Sequence, residues 1–245
     1  RRGRPDGSPG GGSAVTAFEK FSVVIPEAYV MGLAVLWLIC SVVFKPRDYR
    51  VTAIVLGVIG IFLTWASTHG ATMTTPVATQ IRFYGAYRID FFSQGFKLLL
   101  MIGYVLILNL PKSEKSLLKE SQAEYHFLVA TALFGMMLLT SAYDLLVLYL
   151  AMETTSYSFY ILCVLRRRVT ESTEAGLKYV LIGATSSAIM LLGIAYLYGS
   201  TGTTSLPAVL ARSSDLATSP GYALGVFLMF AGILFKLSAF PFHFW

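Results

Sequence analysis

Seven apolar segments recur along this 245-residue chain, and their length constrains the fold more than any other feature. Most hold about 20 residues, the length that an α-helix needs to cross the ~30 Å hydrocarbon core of a bilayer. Helices are favoured because each satisfies its own backbone hydrogen bonds in lipid. Only 13% of the residues are charged, against about 25% in soluble domains. The sequence therefore predicts an all-α integral membrane protein with about seven transmembrane helices, at roughly 22–44, 51–68, 91–110, 124–140, 143–164, 175–198 and 222–243.

Two stretches differ from these segments. Residues 1–20 are rich in Arg, Gly, Ser and Pro and cannot bury a core, so we expect a disordered tail before a transmembrane domain over 21–245. The chain does not start with Met, which fits a processed and imported precursor but equally a truncated chain. In the 69–90 connection, partial alternation around Gly85 predicts a small hairpin outside the membrane.

The loop charges predict an orientation. Loops after the first, third and fifth segments carry nine Lys or Arg residues, against three in the intervening loops. The positive-inside rule then places the N-terminus outside and the C-terminus inside. This topology also explains the net charge of +6, so we expect no nucleic-acid partner and do expect contact with membrane lipids. The nine residues are Lys45, Arg47, Arg50, Lys112, Lys115, Lys119, Arg166, Arg167 and Arg168, and the three are Arg82, Arg88 and Arg212.

Three charges stand well inside apolar segments. Glu153 lies near the middle of the fifth, Lys236 deep in the seventh, and Lys178 about one turn into the sixth. A charge at mid-bilayer costs about 2.5–3.5 kcal/mol on insertion scales and is retained where it pairs or conducts. We expect Glu153 and Lys236 to be functional, the alternative being an ion pair that only locks the bundle. Lys178 can also snorkel to the inner surface.

The seventh segment should be interrupted. Pro241 cannot donate a hydrogen bond to the carbonyl of Leu237 and crowds it, so we expect a kink or break there. Freed backbone groups at membrane depth are tolerated where they line a cavity. His243 lies seven residues after Lys236, and the two would share a face of a regular helix. A lysine, an opened helix and an imidazole predict a hydrated polar path.

The remaining polar positions predict less. Glu27 is interpreted as interfacial, and Lys97 lies one or two turns into the third segment. Asp144 opens the fifth helix, where the helix dipole stabilises a carboxylate. His69 and His126 lie at segment ends and are interpreted as ordinary interfacial residues.

No metal or redox site is predicted. Cys40 and Cys163 stand apart in different apolar segments, with no C-x-x-C motif or Cys/His cluster. No Gly-rich phosphate loop follows a strand. We therefore expect no cofactor to be bound by this chain.

Three stretches in succession carry a family resemblance. Supported by "IPE" in the first segment and "IDFFSQGFKLLL" at the third, they resemble the N-type antiporter-like subunit (chain 2) of respiratory NADH:ubiquinone oxidoreductase, complex I. The resemblance covers about residues 21–245, and the closing lysine followed by Ser-x-x-Pro-Phe-His-x-Trp is more specific to this subunit than to its relatives. The stretches are "EYHFLVATALFGMMLLTSAYDLLVLYLAMETTSYSFYIL", "EAGLKYVLIGATSSAIMLLGIAYLYGSTGT" and "GILFKLSAFPFHFW".

The resemblance implies a mechanism. Family members translocate protons without a redox cofactor of their own, while other subunits hold FMN, iron–sulfur clusters and ubiquinone. The family's functional charges fall on Glu153, Lys236 and Lys178, and His243 lies in the last motif. A separating Glu153–Lys236 pair would let Lys236 release a proton. The same likeness implies membrane-arm partners and the mitochondrial inner membrane, or alternatively the bacterial plasma membrane.

The family fold has about fourteen helices in two inverted repeats, and nothing here corresponds to the second repeat. We therefore expect a split subunit, with a separate chain supplying the C-terminal half. The nearest alternative is a subunit of a multi-subunit cation/proton antiporter or membrane hydrogenase, which shares the glutamate–lysine arrangement. A seven-helix receptor is less favoured, because it has little use for a broken helix with a buried lysine. A structural spacer whose charges only fix packing is the remaining alternative.

Overall fold

The computed structural model describes residues 24–44, 49–70, 80–110, 121–165, 170–216 and 218–240, and within them the chain is predominantly helical. The prediction of an all-α membrane fold is confirmed. The described elements are α1 (Ile25–Val43), α2 (Arg50–Gly70), β1 (Gln80–Arg82), a 3-10 turn (Phe83–Gly85), β2 (Tyr87–Ile89), α3 (Phe91–Asn109), α4 (Gln122–Ser141), α5 (Leu145–Val164), α6 (Thr170–Thr201), α7 (Leu206–Ala211), α8 (Ser213–Leu216) and α9 (Pro220–Lys236).

Local sequence explains where several helices begin. Asp90 caps α3 by accepting a hydrogen bond from the Ser93 amide, and Ser93 Oγ accepts one from the Asp90 amide in return. Asp144 caps α5 by accepting from the amides of Leu146 and Val147, so the expected helix-start role of Asp144 is confirmed. Proline in the first turn, where no amide hydrogen is needed, starts α1 and α9.

Within the described residues, six helices, α1 to α6, are long and apolar enough to cross a membrane. The helix α9 has 17 residues, or about 25 Å at 1.5 Å per residue, and is shorter than the predicted 222–243. It ends at Lys236, so Lys236 is the last helical residue rather than one deep inside the helix. Pro241 and His243 lie outside the described residues.

A left-handed residue ends α9. Ser238 has φ 51°, and its amide donates to the Phe235 carbonyl, while the Ala239 amide donates to the Leu234 carbonyl. These two bonds form a Schellman motif, which satisfies carbonyls that a helix end leaves free. The position usually takes glycine, because a side chain disfavours this backbone conformation. The helix therefore stops before the proline that the sequence singled out.

Two further boundaries differ from prediction. The helix α6 runs from Thr170 to Thr201, well beyond 175–198, and its 32 residues extend about 48 Å. That length exceeds the ~30 Å hydrocarbon core, so part of α6 projects past it. Between α6 and α9 the chain forms the short helices α7 and α8, which periodicity did not predict.

The predicted hairpin is confirmed. The strands β1 and β2 pair antiparallel, with Gln80 opposite Ile89 and Arg82 opposite Tyr87. Beyond the strands, the Tyr143 amide donates to the Ala86 carbonyl at 2.9 Å, and Tyr87 forms an isolated bridge with Ala142. The hairpin therefore lies over the α4–α5 junction.

The connection from α6 to α9 reaches the same junction. The Leu145 amide donates to the Thr204 carbonyl at 2.9 Å, and the Leu206 amide donates to the Tyr143 carbonyl at 3.2 Å. We call these three backbone segments, residues 86–87, 142–145 and 204–206, the loop seam. Three connections that alternate along the chain thus meet at one end of the bundle.

The helices pack as two groups. One buried cluster lies among α1 to α4, around Trp37 and Met101, and the other lies among α5, α6, α7 and α9, around Met190 and Met229. The helix α4 joins the groups by packing against both α1 and α5. Large apolar side chains cover much of the outer surface, as expected where helices face lipid.

Candidate functional site: a buried glutamate–lysine pair at a helix end

Glu153 and Lys236 form an ion pair between α5 and α9. The distance from Lys236 Nζ to Glu153 Oε1 is 2.5 Å, and the side chains are 10% and 6% exposed, respectively. Their approach was the condition on which the predicted mechanism depended. An ion pair removed from water is stabilised only if further hydrogen bonds surround it.

Two serine hydroxyls supply such bonds. Ser187 Oγ on α6 donates to Glu153 Oε1 at 2.6 Å, and Ser156 Oγ on α5 accepts from Lys236 Nζ at 3.0 Å. Glu153 Oε2 is buried without a hydrogen-bond partner among the described residues. One carboxylate oxygen is therefore committed to the pair, and the second is available to a proton or a water molecule.

Close helix packing brings Lys236 to this point. A Cβ added at Gly193 of α6 would lie 2.4 Å from the Met229 amide nitrogen of α9, and one at Gly232 would lie 2.5 Å from Met190 Cβ. Only glycine permits this approach, as at other interfaces between membrane helices. Ser186 Oγ also donates to the Gly232 carbonyl at 3.2 Å. The α6–α9 contact thus holds Lys236 opposite Glu153.

The end of α9 favours the positive charge. A helix C-terminus carries a partial negative charge, which stabilises a cation in the last turn by about 0.3–1 kcal/mol at exposed sites and more when partly buried. Lys236 occupies this position.

A cavity of about 260 Å³ adjoins the pair. It lies where α4, α5 and α6 meet the end of α9, and Lys236 is part of its wall. Its polar lining consists of hydroxyls and the ammonium, contributed by Thr155, Ser156, Tyr160, Tyr179 and Lys236, and the other lining residues are apolar. A water molecule in this cavity would therefore be held at these hydroxyls and at the ammonium.

Lys178 lies apart from the pair. It forms an ion pair with Glu174 at 2.5 Å, one turn away on α6, and the two side chains are 67% and 62% exposed. Lys178 is about 12 Å from the start of a helix that is longer than the hydrocarbon core, so a position near the membrane surface fits. The fourth predicted site residue, His243, is not among the described residues.

Sequence reasoning missed a second buried pair. Lys97 Nζ of α3 lies 2.7 Å from Glu27 Oε1 of α1, with 0% and 2% of the side chains exposed. Tyr87 Oη of β2 donates to Glu27 Oε1 at 2.5 Å and accepts from Lys97 Nζ at 3.1 Å. Burial, followed by the charge of Glu27, holds the pKa of Tyr87 well above its usual range, so Tyr87 stays protonated. The interfacial interpretation of Glu27 is therefore wrong.

His126 also differs from expectation. It is 1% exposed and packs beside the Trp37 ring at a centroid distance of 5.0 Å, so its interfacial interpretation is wrong.

The sequence signal that could have revealed the Glu27–Lys97 pair was their opposite charge within apolar segments. Each lay close enough to a segment end for snorkelling to explain it.

Comparisons with known proteins give a consistent result. Residues 142–245 match a family model described as NADH:quinone oxidoreductase/Mrp antiporter, TM. NADH-quinone oxidoreductase subunit N 2 of Syntrophobacter fumaroxidans is 34% identical over 222 residues, covering 90% of this chain and 45% of the relative.

Solved structures share the fold. A chain of respiratory complex I from Thermus thermophilus, solved with bound aureothin, aligns with a TM-score of 0.69 at 29% identity, covering 90% of this chain and 45% of that one. A chain of an archaeal membrane-bound sulfane sulfur reductase also aligns with a TM-score of 0.69, covering 91% of this chain and 45% of that one. At 19% identity, the second likeness shows the fold alone. The chain spans somewhat less than half the length of these proteins, and over that part it is similar to the antiporter-like subunit N of NADH-quinone oxidoreductase.

Proposed function

We propose that this chain forms part of a proton-translocating membrane-arm subunit of a respiratory NADH:quinone oxidoreductase. The observation that carries the proposal is the buried Glu153–Lys236 pair at a helix end, beside a cavity with hydroxyl groups. Similarity to subunit N supports the assignment. FMN, iron–sulfur clusters and ubiquinone carry out electron transfer in other subunits. The free energy of that electron transfer reaches this chain as a movement that opens or closes the Glu153–Lys236 pair.

In the proposed step, Lys236 releases one proton and later takes up another. While Lys236 Nζ contacts Glu153 Oε1, the carboxylate stabilises the ammonium. When α9 shifts and the contact opens, Lys236 keeps a charge without a partner and releases a proton to water in the cavity. A proton taken up from the other side restores the ammonium, and closure restores the pair. No covalent bond between heavy atoms forms or breaks.

Lys178 and His243 extend the path in this proposal. Lys178, with Glu174, lies toward the start of α6 and would exchange protons between the inner surface and the cavity. His243 would continue the path beyond Lys236. Because Lys178 already has an exposed partner, its removal should have the smaller effect.

Partners and location follow from the assignment. The chain would pack against other membrane-arm subunits. The respiratory membrane would be the mitochondrial inner membrane or the bacterial plasma membrane, and the curated relatives that the chain matches include bacterial proteins. Cysteine labelling at Ser116 and Ser213 should report opposite sides of that membrane, with Ser116 inside. Labelling of both from one side would contradict the orientation.

Proton pumping in the intact complex tests the function. We expect Lys236→Ala and Glu153→Gln each to abolish most of the NADH-driven pH gradient in sealed vesicles, while the complex still assembles. Lys178→Ala and Glu174→Gln remove the same charges from an exposed pair, and we expect each to have a smaller effect on pumping. Full pumping in the Lys236 and Glu153 variants would show that the pair only locks the bundle.

A cation/proton antiporter subunit is the second candidate. The matching family model names both kinds of protein, and the archaeal reductase shares the fold. An NADH-oxidising flavoprotein that co-purifies with the chain in mild detergent favours the first function. Cation-dependent proton exchange without NADH, in a complex lacking that flavoprotein, favours the second.

A further inference from the structure

The pair between α1 and α3 is tied to the hairpin rather than to either helix alone. Glu27 and Lys97 are sealed from solvent, and Tyr87 of β2 bonds to both. Lys97 Nζ also lies 5.2 Å from the centre of the Tyr87 ring. The only hydrogen-bonding atom of the Tyr87 side chain is therefore fully engaged by two opposite charges.

The hairpin also connects the Glu27–Lys97 pair to the start of α5. Tyr87 forms a bridge with Ala142, and Ala86 accepts from the Tyr143 amide. Arg88 lies over the Tyr143 ring at 5.5 Å. Asp144, the cap of α5, follows directly. Main-chain contacts thus fix the end of α4 and the start of α5 to the hairpin.

The same seam reaches the connection to α9. Thr204 Oγ1 donates to Asp144 Oδ2 at 2.5 Å, in addition to the backbone bonds between residues 143–145 and 204–206. This connection leads through α7 and α8 into α9. Glu153 lies nine residues after Asp144 on α5, and Lys236 ends α9. The helix α5 therefore starts at the seam, and α9, which starts at Pro220, is joined to the seam through α7 and α8.

We propose that Glu27, Tyr87 and Lys97 are positioning residues for the Glu153–Lys236 pair: they hold residues 86–87 of the hairpin in place, and through the loop seam these residues fix the starts of α5 and of the α6–α9 connection. The effect on proton pumping rests on the proposed function. The effect on the stability of the loop seam does not, and hydrogen exchange measures it separately.

The test uses Tyr87→Phe in the intact complex, because this variant keeps the ring and the direct Glu27–Lys97 contact. Hydrogen exchange, followed by mass spectrometry, should become about tenfold faster at residues 86–89 and 143–147, as expected when a hydrogen bond to a charged group is lost. Protons pumped per NADH should fall about twofold, while assembly and NADH oxidation stay unchanged. Tyr84→Phe is the matched control, since Tyr84 lies three residues away with a fully exposed side chain.

Each outcome decides the question. Faster exchange confined to residues 86–89, or faster exchange at both segments with normal pumping, overturns the positioning role. Uniformly faster exchange throughout the chain also overturns it, because that indicates general destabilisation. If Tyr87→Phe does not assemble, Glu27→Asp replaces it and should give the same two-segment pattern. Normal pumping in Lys236→Ala would instead refute the proposed function and leave the exchange result standing.

Discussion

The two buried ion pairs have the same chemistry in different settings. Each joins one lysine to one glutamate on another helix, at 2.7 Å for Lys97–Glu27 and 2.5 Å for Lys236–Glu153. Lys97 lies within α3, completely covered, with a tyrosine bonded to both charges. Lys236 ends its helix beside a cavity. The first arrangement holds its charges together, whereas the second leaves room for them to separate.

The difference lies in what happens when a pair opens. A charge left alone in a sealed site keeps its full desolvation cost, about 3–5 kcal/mol when one partner is removed. A charge beside a cavity can be met by water, which lowers that cost. An ion pair that only stabilises the fold and an ion pair that can open can therefore consist of the same residue types. They differ in burial and in their position along the helix.

The largest expected effect separates the pairs directly. Lys97→Ala should destabilise the subunit by about 3–5 kcal/mol and reduce its amount in membranes, whereas Lys236→Ala should assemble and lose pumping. Thermal unfolding in detergent, together with pumping assays on vesicles, measures both. The double variant Glu27→Gln/Lys97→Met, which leaves no charge, should recover much of the stability. Equal stability losses in the two alanine variants would remove the distinction.

A second prediction shifts one pair and leaves the other in place. Gly193→Ala should force α9 away from α6, because the new Cβ would meet the Met229 backbone, and should cost about 1–3 kcal/mol together with most of the pumping. Gly199→Ala, on the same helix with open space around it, is the control and should be neutral or slightly stabilising. If both variants pump equally, the close α6–α9 contact does not set the geometry of the pair.

A smaller effect is expected at Ser187. Ser187→Ala removes the hydroxyl that donates to Glu153 Oε1 and should lower the free energy of unfolding by about 1–2 kcal/mol. Pumping should slow a few-fold without being lost, since the Lys236 contact persists. Ser200→Ala, which removes a hydroxyl bonded only within α6, provides the baseline. A complete loss of pumping in Ser187→Ala would mean that the hydroxyl itself carries the proton.

The smallest effect concerns the end of α9. Ser238→Gly should keep pumping and raise stability by up to ~1 kcal/mol, because glycine adopts the left-handed conformation without strain. Ser238→Val should reverse the sign and disturb the position of Lys236. Thermal unfolding of both variants measures the difference, and a stabilising valine would contradict the assigned helix end.

Much of the fold could be predicted, because hydropathy and helix length report directly on membrane crossing. Glu153 stood out as a charge near the middle of a long apolar segment, and Lys236 stood out as a charge deep in another. The hairpin could be predicted from its alternation around Gly85. These features are all local in sequence.

What could not be predicted depends on contacts between distant segments. Glu27 and Lys97 lie near segment ends, and they contact each other and Tyr87 of the hairpin, which no local pattern shows. The end of α9 at Lys236 depends on Ser238 adopting a conformation that serine usually avoids. His126 is buried because Trp37 of another helix packs against it.

Each buried pair is completed by a lysine that is synthesised well after its glutamate. Lys236 follows Glu153 by 83 residues, so at about 5–20 residues per second the carboxylate waits some 4–17 s for its partner. Lys97 follows Glu27 by 70 residues, so the first pair is completed after a similar interval of about 4–14 s. Until α9 emerges, Glu153 lacks the lysine that pairs with it in the finished protein, and Ser187 is its described hydrogen-bond partner. A nascent chain arrested before α9 therefore contains a membrane-embedded glutamate without its lysine.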